Sequence, residues 1–332
     1  MSKIKIAVIC GGISPERDIS LKGAQNVISA LEAKGYETLR YDAKDDLVKF
    51  FIDASTKKFD LVFPVLHGPY GEDGKLQGML DMIGMPYVFS GTLASALAND
   101  KYKTKAIVRG LEINTPKDIL LHRNAKFEFK DIVTFLALPA IVKPLNLGSS
   151  LGISVIHTQE DLQPAFKAAW HYGDYVLIEE YIRGRELTVL VVGNKPPEAF
   201  PVVEIIPKKA QWYDFKSKYD PDGCEKICPA PLDDAIRDEL QKKAVRIYKE
   251  LGCKDLARID FILSQEFNIP YFLDLNTIPG LSDTSLAPMA AKAEGINFND
   301  LIERLVKGAM KHYHLDERFK AEEAAEERGG YV

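Results

Sequence analysis

The chain has 332 residues, of which 46% are hydrophobic and 27% are charged, a balance typical of a globular protein with two or three domains. Its net charge of −5 and its lack of a long basic run argue against nucleic acid as a partner. No apolar stretch reaches the roughly 18 residues that cross a bilayer, and the first residues lack the features of a secretory signal. We therefore expect a cytoplasmic protein with no membrane partner.

The first predicted unit begins with an apolar strand at Ile4–Cys10, a Gly11-Gly12 turn and a helix with apolar residues at helical spacing. This order is typical of an open α/β sheet, in which ligands bind beyond the carboxyl ends of the strands. The turn does not have the spacing GxGxxG, so a dinucleotide is not indicated. Glu16 stands at this turn, where the simplest interpretation is a carboxylate favoured by the helix dipole.

A later strand of the same unit, Leu61–Leu66, ends in a glycine-bearing loop that carries His67 and Glu72. A lone histidine is more often structural than functional. A histidine beside glycines and carboxylates at the end of a strand favours a site instead. The pattern around this loop predicts two strands and a helix, at Glu37–Tyr41, Tyr87–Phe89 and Lys75–Ile83.

The next unit is predicted to begin with a helix at about Asp100 that has Lys101 in its first turn. A strand at Ala140–Lys143 then leads into the turn PLNLGSSLGISVI, which contains Ser149 and Ser150. Glycine allows backbone N–H groups to approach phosphate closely, and Lys143 at the base of the turn can pair with phosphate. A turn of this composition is a weak signal by itself.

Two more strands follow, at Tyr175–Glu179 and Glu186–Val192. The segment from Glu179 through Glu180 and Tyr181 to Ile182 can offer backbone hydrogen bonds to a purine, and Glu186 can reach a ribose. The alternative is that these acids are solvated residues at a sheet edge.

A polar stretch at residues 200–232 has little periodicity but several aromatic residues, which favours a lid over disorder. Lys218 and Tyr219 in this stretch can close on a substrate. Helices are predicted at Asp233–Leu251 and Asn299–His312. The four cysteines have no CxxC spacing, so we expect free thiols, although Cys224 and Cys228 could be bridged or bind metal.

The stretch 256–276 contains two runs that alternate with period two, joined by a link short enough for a hairpin. A hairpin centred on this link places Asp260 across from Asp274. The same register places Arg258 across from Asn276. Carboxylates about 5 Å apart repel each other unless a cation lies between them.

The oxygen ligands of this hairpin are of the kind that Mg²⁺ prefers, and Arg258 suits the charge of a transferring phosphoryl group. The alternative is an ion pair on a solvated sheet face, since residues two apart on a strand always share a face. Asn276 leads into a Thr-Ile-Pro-Gly turn, whose backbone N–H groups can face an anion.

Seven motifs now occur in order, namely SPERDISL, LHGPYGEDGKLQGMLD, KPLNLGSSLGIS, IEEYIRGRE, YDFKSKY, ARIDF and LDLNTIPGLSDTSLAP. Over residues 4–312 they resemble the D-alanine–D-alanine ligases of the ATP-grasp superfamily. One such motif would be a weak signal, but seven in order are specific. The chain has no Walker A sequence, which fits a family that holds its nucleotide between two α+β domains.

The resemblance implies an α/β (α+β) ATP-grasp fold with three domains. An open parallel α/β domain at residues 1–98 would bind substrate. The nucleotide would lie between two α+β domains at residues 99–188 and 189–314, with a lid loop at about 208–230. Residues 315–332 would form a charged tail.

The resemblance also implies roles for individual residues. The expected ATP contacts are Lys101, Lys143, Ser149, Ser150, Glu179, Glu180, Tyr181, Ile182 and Glu186. The expected substrate contacts are Glu16, His67, Lys218, Ser285 and Leu286. The expected catalytic residues are a trio that joins the domains, an arginine on the phosphoryl group and a backbone N–H toward the oxyanion: Glu16, Ser149, Tyr219, Arg258 and Gly280.

The metal ligands implied by the family are Asp260, Asp274 and Asn276, with two Mg²⁺ ions, or Mn²⁺, between them and ATP. A monovalent cation requirement stays open. Asp274 stands where the family usually has glutamate, and its shorter side chain leads us to expect one weaker ion site.

The implied activity is ATP-dependent ligation of two D-alanine molecules through an acyl phosphate, for peptidoglycan precursor synthesis. The implied partners are D-alanine, ATP and a second copy of the chain in a homodimer. Two alternatives stay open. One is a ligase that takes D-serine or D-lactate second, and the other is an ATP-binding module that has lost ligase activity.

Overall fold

The computed structural model of the chain describes residues 4–146, 148, 151–208, 223–282, 285–315 and 317. Within these residues the strands are β1 (Lys5–Cys10), β2 (Glu37–Asp42), β3 (Leu61–Pro64), β4 (Asp118–His122), β5 (Ala140–Pro144), β6 (Ser154–Ile156), β7 (Tyr175–Glu180), β8 (Gly184–Val192), β9 (Glu198–Ala199), β10 (Val203–Pro207), β11 (Cys224–Ile227), β12 (Leu256–Ser264) and β13 (Pro270–Asn276). The helices are α1 (Arg17–Ala33), α2 (Leu47–Ser55), α3 (Lys75–Met82), α4 (Thr92–Asn99), α5 (Lys101–Gly110), α6 (Phe129–Phe135), α7 (Leu162–Trp170), α8 (Asp234–Glu250), α9 (Leu286–Ala293) and α10 (Phe298–His312).

The N-terminal sheet is parallel, in the order β2-β1-β3, as the apolar runs predict. Ile6–Cys10 and Leu61–Pro64 are buried throughout, which is usual for parallel strands covered on both faces. The strand predicted at Tyr87–Phe89 contributes only an isolated bridge between Val62 and Tyr87.

The central sheet is antiparallel, in the order β4-β7-β5-β6. It has a hydrophobic core of its own, built with α6 and α7 around side chains such as Val142, Phe166 and Val176. Phe166 stacks on Trp170, with ring centroids 4.7 Å apart. This unit therefore buries its apolar face without help from the other two sheets.

The C-terminal sheet is antiparallel, in the order β11-β10-β8-β12-β13, with β9 paired to β8. One face packs on α8 through side chains such as Val189, Ile259 and Tyr248, and Val108 of α5 joins the same core. The other face carries charged side chains near the hairpin and apolar ones farther along β8 and β12. The predicted domain boundary between residues 188 and 189 falls inside β8, and the three domain limits stay predictions.

The N-terminal and C-terminal sheets share a core, in which Val8 of β1, Leu190 of β8 and Leu305 of α10 belong to one cluster. Buried Asp255 links the two units, because its carboxylate accepts the N–H of Phe89 at 2.9 Å and the side-chain amide of Asn194 at 2.7 Å. These contacts fix the carboxyl ends of the parallel strands beside the C-terminal sheet.

The hairpin of β12 and β13 has the predicted register at its functional end and a β-bulge beyond it. Asp260 pairs with Asp274, but Phe261 pairs with Phe272, which leaves Leu273 as the extra residue. Phe272 and Leu275 are therefore buried on this strand, with Phe272 beside Phe261, whereas Leu273 is only partly buried.

The described helices include none that is both long and apolar enough to span a bilayer. All four cysteines are free, and Cys10 is buried in the first strand.

Candidate active site

The hairpin of the C-terminal sheet brings together the residues that the alternation predicts. Asp260 lies opposite Asp274, and Arg258 lies opposite Asn276. The Arg258 guanidinium donates two hydrogen bonds to Asp260, from Nε at 2.9 Å and from Nη2 at 2.8 Å. Thr188 of β8 donates to the same carboxylate at 2.6 Å. Asp260 is thus oriented by neighbours on both sides.

Lys101 reaches this hairpin from the first turn of α5. Its Nζ lies 3.4 Å from Asp274 Oδ2, where the lysine side chain is 9% exposed and the aspartate 33%. Asp100 caps the helix by accepting the N–H of Lys103 at 3.0 Å, which fixes where the first turn starts. The structure therefore places a predicted phosphate ligand against a predicted metal ligand.

The loop after β13 is held tightly by its own side chains. Asn276 Oδ1 accepts the N–H of Ile278 at 2.9 Å, and the hydroxyls of Ser282 and Ser285 lie 2.8 Å apart. A Cβ on Gly280 would come within 2.8 Å of Ser285 Oγ, so a larger residue here would displace the Ser285 side chain. Leu286 is buried and begins α9. The three predicted residues of this loop, Gly280, Ser285 and Leu286, therefore lie together.

Glu16 and His67 lie on the N-terminal side of the same region, and both are buried. Gly68 donates its N–H to Glu72 Oε2 at 2.7 Å, and His67 Nδ1 lies 3.9 Å from Glu72 Oε1. Burial lowers the pKa of His67, but Glu72, Glu16 and the backbone of Ile278 raise it by more. His67 thus links the first domain to the loop after β13.

The glycine-rich turn after β5 approaches Glu16. A Cβ built on Gly148 would lie 3.8 Å from Glu16 Oε2, so the turn of the central unit and the first helix of the N-terminal unit are neighbours. Four predicted site residues, Ser149, Ser150, Lys218 and Tyr219, lie outside the described residues.

Lys143 and Glu179 meet on the central sheet. Lys143 Nζ lies 2.7 Å from Glu179 Oε2, and Lys105 Nζ lies 2.7 Å from Glu179 Oε1. Burial raises the pKa of Glu179, but the two lysines outweigh it and lower the pKa to about 2. Glu179 is therefore an ionised, buried partner of two lysines.

The strand end beyond Glu179 is anchored by backbone hydrogen bonds. Glu180 donates its N–H to the carbonyl of Lys117 at 3.0 Å, and Tyr181 donates to Pro139 at 3.4 Å. Ile182 follows in the link to β8, where Glu186 pairs with Ile205 and Ile262. The predicted purine and ribose contacts thus lie on the segment that joins the central and C-terminal sheets.

Sequence reasoning missed three polar residues near this site. Lys105 follows Lys101 by one helical turn, and that i, i+4 spacing is the signal that could have indicated it. Thr188 had no signal beyond its position two residues after Glu186. Lys226 of β11 pairs with Ile205. Burial lowers the pKa of Lys226 and the positive charge of Arg258 lowers it further, while Cys224 has the opposite effect, smaller than that of burial.

The donor set of the hairpin fits a hard divalent cation. Asp260 and Asp274 lie at directly paired positions, and Asn276 follows Asp274 by two residues on the same strand. Oxygen ligands of this kind suit Mg²⁺ in sites completed by substrate phosphates and water. Among the residues that the structure describes, no three His, Cys, Asp or Glu side chains cluster as a metal site by themselves. An ion held by these residues would take its remaining oxygen ligands from substrate phosphates or water.

Two antiparallel α+β units thus contribute lysines and carboxylates to one region, with α5 lying against β13. Together with the parallel N-terminal sheet, that arrangement defines a protein of the ATP-grasp class.

Comparison with known families gives the particular member of that class. The family model described as D-ala D-ala ligase C-terminus matches residues 107–307, and the one described as D-ala D-ala ligase N-terminus matches residues 40–90. The chain belongs to the D-alanine–D-alanine ligase family.

Individual relatives agree with this assignment. The chain is 40% identical over 321 residues to the D-alanine–D-alanine ligase of Pelotomaculum thermopropionicum, covering 95% of this chain and 99% of the relative. It is 40% identical over 309 residues to that of Halalkalibacterium halodurans, covering 93% and 100%. The crystal structure of the Bacillus anthracis D-alanine–D-alanine ligase complexed with ATP is similar, with a TM-score of 0.80, 27% identity and coverage of 94% and 99%.

Proposed function

We propose that the protein ligates two D-alanine molecules to D-alanyl-D-alanine, converts ATP to ADP and phosphate, and thereby supplies a peptidoglycan precursor. The hairpin carries this proposal, because it places Arg258 beside two opposed carboxylates with Lys101 in contact with Asp274. The relatives named above carry the name of this activity over nearly the whole chain.

The reaction proceeds in two steps. A carboxylate oxygen of the first D-alanine attacks the γ-phosphorus of ATP, the bond to ADP breaks, and an acyl phosphate forms. The amine of the second D-alanine then attacks the acyl carbon, loses a proton, and phosphate leaves. The protein contributes positioning and charge neutralisation to both steps.

The substrate side of the site uses residues from three elements. Glu16 binds the ammonium group of the first D-alanine, with His67 beside it. Ser285 and the N–H of Leu286 bind the carboxylate of the second, because they stand at the start of α9, where the helix dipole favours an anion. The N–H of Gly280 faces the oxyanion of the intermediate, and Arg258 faces its phosphoryl oxygens.

The nucleotide side uses the central unit. Lys143 and Lys101 bind phosphates, the segment of Glu179, Glu180, Tyr181 and Ile182 binds the purine, and Glu186 binds the ribose. Ser150 contributes a phosphate contact. For three residues outside the described part of the chain, we propose that Ser149 and Tyr219 act together with Glu16 and that Lys218 serves the γ-phosphate, so that water is kept from the acyl phosphate.

The residues that would hold divalent metal are Asp260, Asp274 and Asn276. Two Mg²⁺ ions, or Mn²⁺, would neutralise phosphate charge when bound. We further propose a homodimer in the cytoplasm, consistent with the free cysteines, and the three domains with limits at residues 98, 188 and 314.

The test is phosphate release from ATP and Mg²⁺ by purified protein with D-alanine, L-alanine, D-serine or D-lactate, and identification of the product by mass. D-Alanine alone is expected to give its dipeptide. Release that needs D-serine or D-lactate with D-alanine would change the second substrate. Tight ATP binding without release with any of them would leave a nucleotide-binding module as the better account.

A further inference from the structure

Five charged side chains form a continuous chain of ion pairs that runs from α5 into the central sheet. Lys105 Nζ contacts Asp118 Oδ2 and Glu179 Oε1, both at 2.7 Å. Arg109 extends the chain at one end through Asp118 at 2.9 Å, and Lys143 extends it at the other through Glu179 at 2.7 Å. Three cations thus share two carboxylates, and we call this set the Glu179 cluster.

The members of the Glu179 cluster differ in how far their side chains are buried. Lys105 is fully buried, and its two carboxylate partners are no more than 5% exposed, so its charge must be compensated inside the protein. Arg109 lies at the outer end, where it is 39% exposed. Lys143 is the remaining end, on the strand that leads into the glycine-rich turn.

Glu179 divides its negative charge between two lysines, one at each carboxylate oxygen. The two ammonium groups are like charges, and they repel each other strongly where the dielectric is low, so the presence of Lys105 weakens the net hold on Lys143. The position of Lys105 therefore sets how strongly Glu179 retains the Lys143 ammonium. A weaker hold leaves more of that charge for a phosphate.

We infer that Lys105 is a positioning residue for ATP binding, which acts through Glu179 to set the availability of Lys143. The inference rests on the proposed nucleotide role of Lys143. Lys105 itself touches no substrate, because it is enclosed by Asp118 and Glu179.

The first experiment replaces Lys105 by methionine, which has similar length and no charge. The carboxylate of Glu179 then attracts Lys143 without competition from Lys105, and it draws the ammonium group of Lys143 away from phosphate. We expect the Kd for the β,γ-imido analogue of ATP with Mg²⁺ to rise about tenfold, equivalent to ~1.4 kcal/mol. The KM for D-alanine should stay within about twofold of the wild type, which would show that the substitution affects nucleotide binding and not D-alanine binding.

The second experiment reverses the sign. Asp118→Asn removes the negative charge that competes with Glu179 for Lys105, so Lys105 is held more strongly by Glu179 and the hold of Glu179 on Lys143 weakens. We expect the Kd for the same analogue to fall about twofold. This variant keeps the inference testable if Lys105→Met fails to fold.

A double-mutant cycle identifies the route of the effect. If Lys105 acts through Glu179, Lys105→Met should change the analogue Kd less than about twofold in the Glu179→Gln background. Lys254→Met is the matched control, since Lys254 is also buried but bonds Tyr313 at 3.0 Å, outside the Glu179 cluster. It should lower the melting temperature and leave the analogue Kd unchanged.

Three results would overturn the inference. The first is an unchanged Kd in folded Lys105→Met, and the second is a raised or unchanged Kd in Asp118→Asn. The third is an effect of Lys105→Met on the Kd that is equally large with Glu179 and with Gln at position 179. Wild-type protein that binds the analogue but releases no phosphate with D-alanine would refute the ligase activity instead, because analogue binding is measured separately.

Discussion

The C-terminal hairpin and the Glu179 cluster both set carboxylates against cations, but at different depths. In the hairpin, Asp260 is 24% exposed and Asp274 is 33% exposed. In the Glu179 cluster the carboxylates are 3% and 5% exposed, with all contacts to Lys105 at 2.7 Å. Water and ligands can reach the first pair, whereas the second is compensated by the protein. The hairpin is therefore suited to exchange partners during a reaction, and the Glu179 cluster to hold geometry.

The largest expected effect comes from removing one charge of the hairpin. Asp274→Asn should reduce phosphate release at least about a thousandfold, because it removes a ligand of the divalent cation and half of the opposed pair. The melting temperature should change little, since Asp274 is one of the more exposed members of the site.

The matched control is Asp274→Glu, which adds one methylene and keeps the carboxylate. Phosphate release by this variant should stay within about tenfold of the wild type. Near-normal turnover by Asp274→Asn would remove the metal role from this position.

Arg258→Met tests the cation of the same hairpin. We expect kcat to fall about a hundredfold, because the guanidinium faces charge that develops on the phosphoryl group. Asp260 also loses two hydrogen bonds, so thermal unfolding must be followed in parallel. A loss of stability with unchanged kcat would make Arg258 a structural partner of Asp260 only. Exposed Arg246→Met on α8 serves as the control for loss of an arginine.

Glu179→Gln tests, through protein stability, whether the charge of the buried Glu179 cluster holds the fold together. The pKa of Glu179 is about 2, below its ordinary value, so its ionised form stabilises the folded state above the unfolded pKa of ~4.3. Loss of that charge should cost of the order of 3 kcal/mol at about pH 7. The difference in the free energy of unfolding between wild type and variant should disappear as the pH falls from ~4.3 toward about 2. Urea unfolding at several pH values measures this difference. A difference that does not change with pH would contradict the stabilising role of ionised Glu179.

The smallest effect is expected at the loop after β13. Gly280→Ala places a methyl group 2.8 Å from Ser285 Oγ, so the serine must move from its position at the start of α9. We expect the KM for D-alanine to rise about fivefold, or ~1 kcal/mol, with a small change in melting temperature. Gly78→Ala in α3 is the control, because its nearest neighbour would lie at 3.5 Å; an equal rise in KM there would contradict the role of Gly280.

The two regions also differ in how far the sequence predicts them. Alternation along β12 and β13 predicts the pairing of Asp260 with Asp274, since both strands have a period of two and a short link. It does not predict the bulge at Leu273, because a bulge depends on the partner strand rather than on the pattern of one strand. The order of elements and the mixed α/β architecture follow from the same local patterns.

Long-range contacts could not be predicted in this way. The i, i+4 spacing places Lys105 on the same face of α5 as Lys101, but lysine is rarely buried, so this spacing does not indicate that Lys105 is fully enclosed while Lys103 is exposed. The approach of Gly148 to Glu16 joins segments that are far apart in sequence. The resemblance to a family supplied Lys101 and Gly280, whose roles no local pattern indicates.

The separate core of the central unit has a practical consequence for protein engineering. The N-terminal and C-terminal sheets share one apolar cluster, whereas the central sheet encloses Phe166, Val142 and Val176 among its own helices. A chimera that exchanges the central sheet with that of a relative would leave both cores intact. An exchange of the N-terminal sheet would instead divide a shared core, and would require compensating substitutions on β8 and α10 to keep the chain folded.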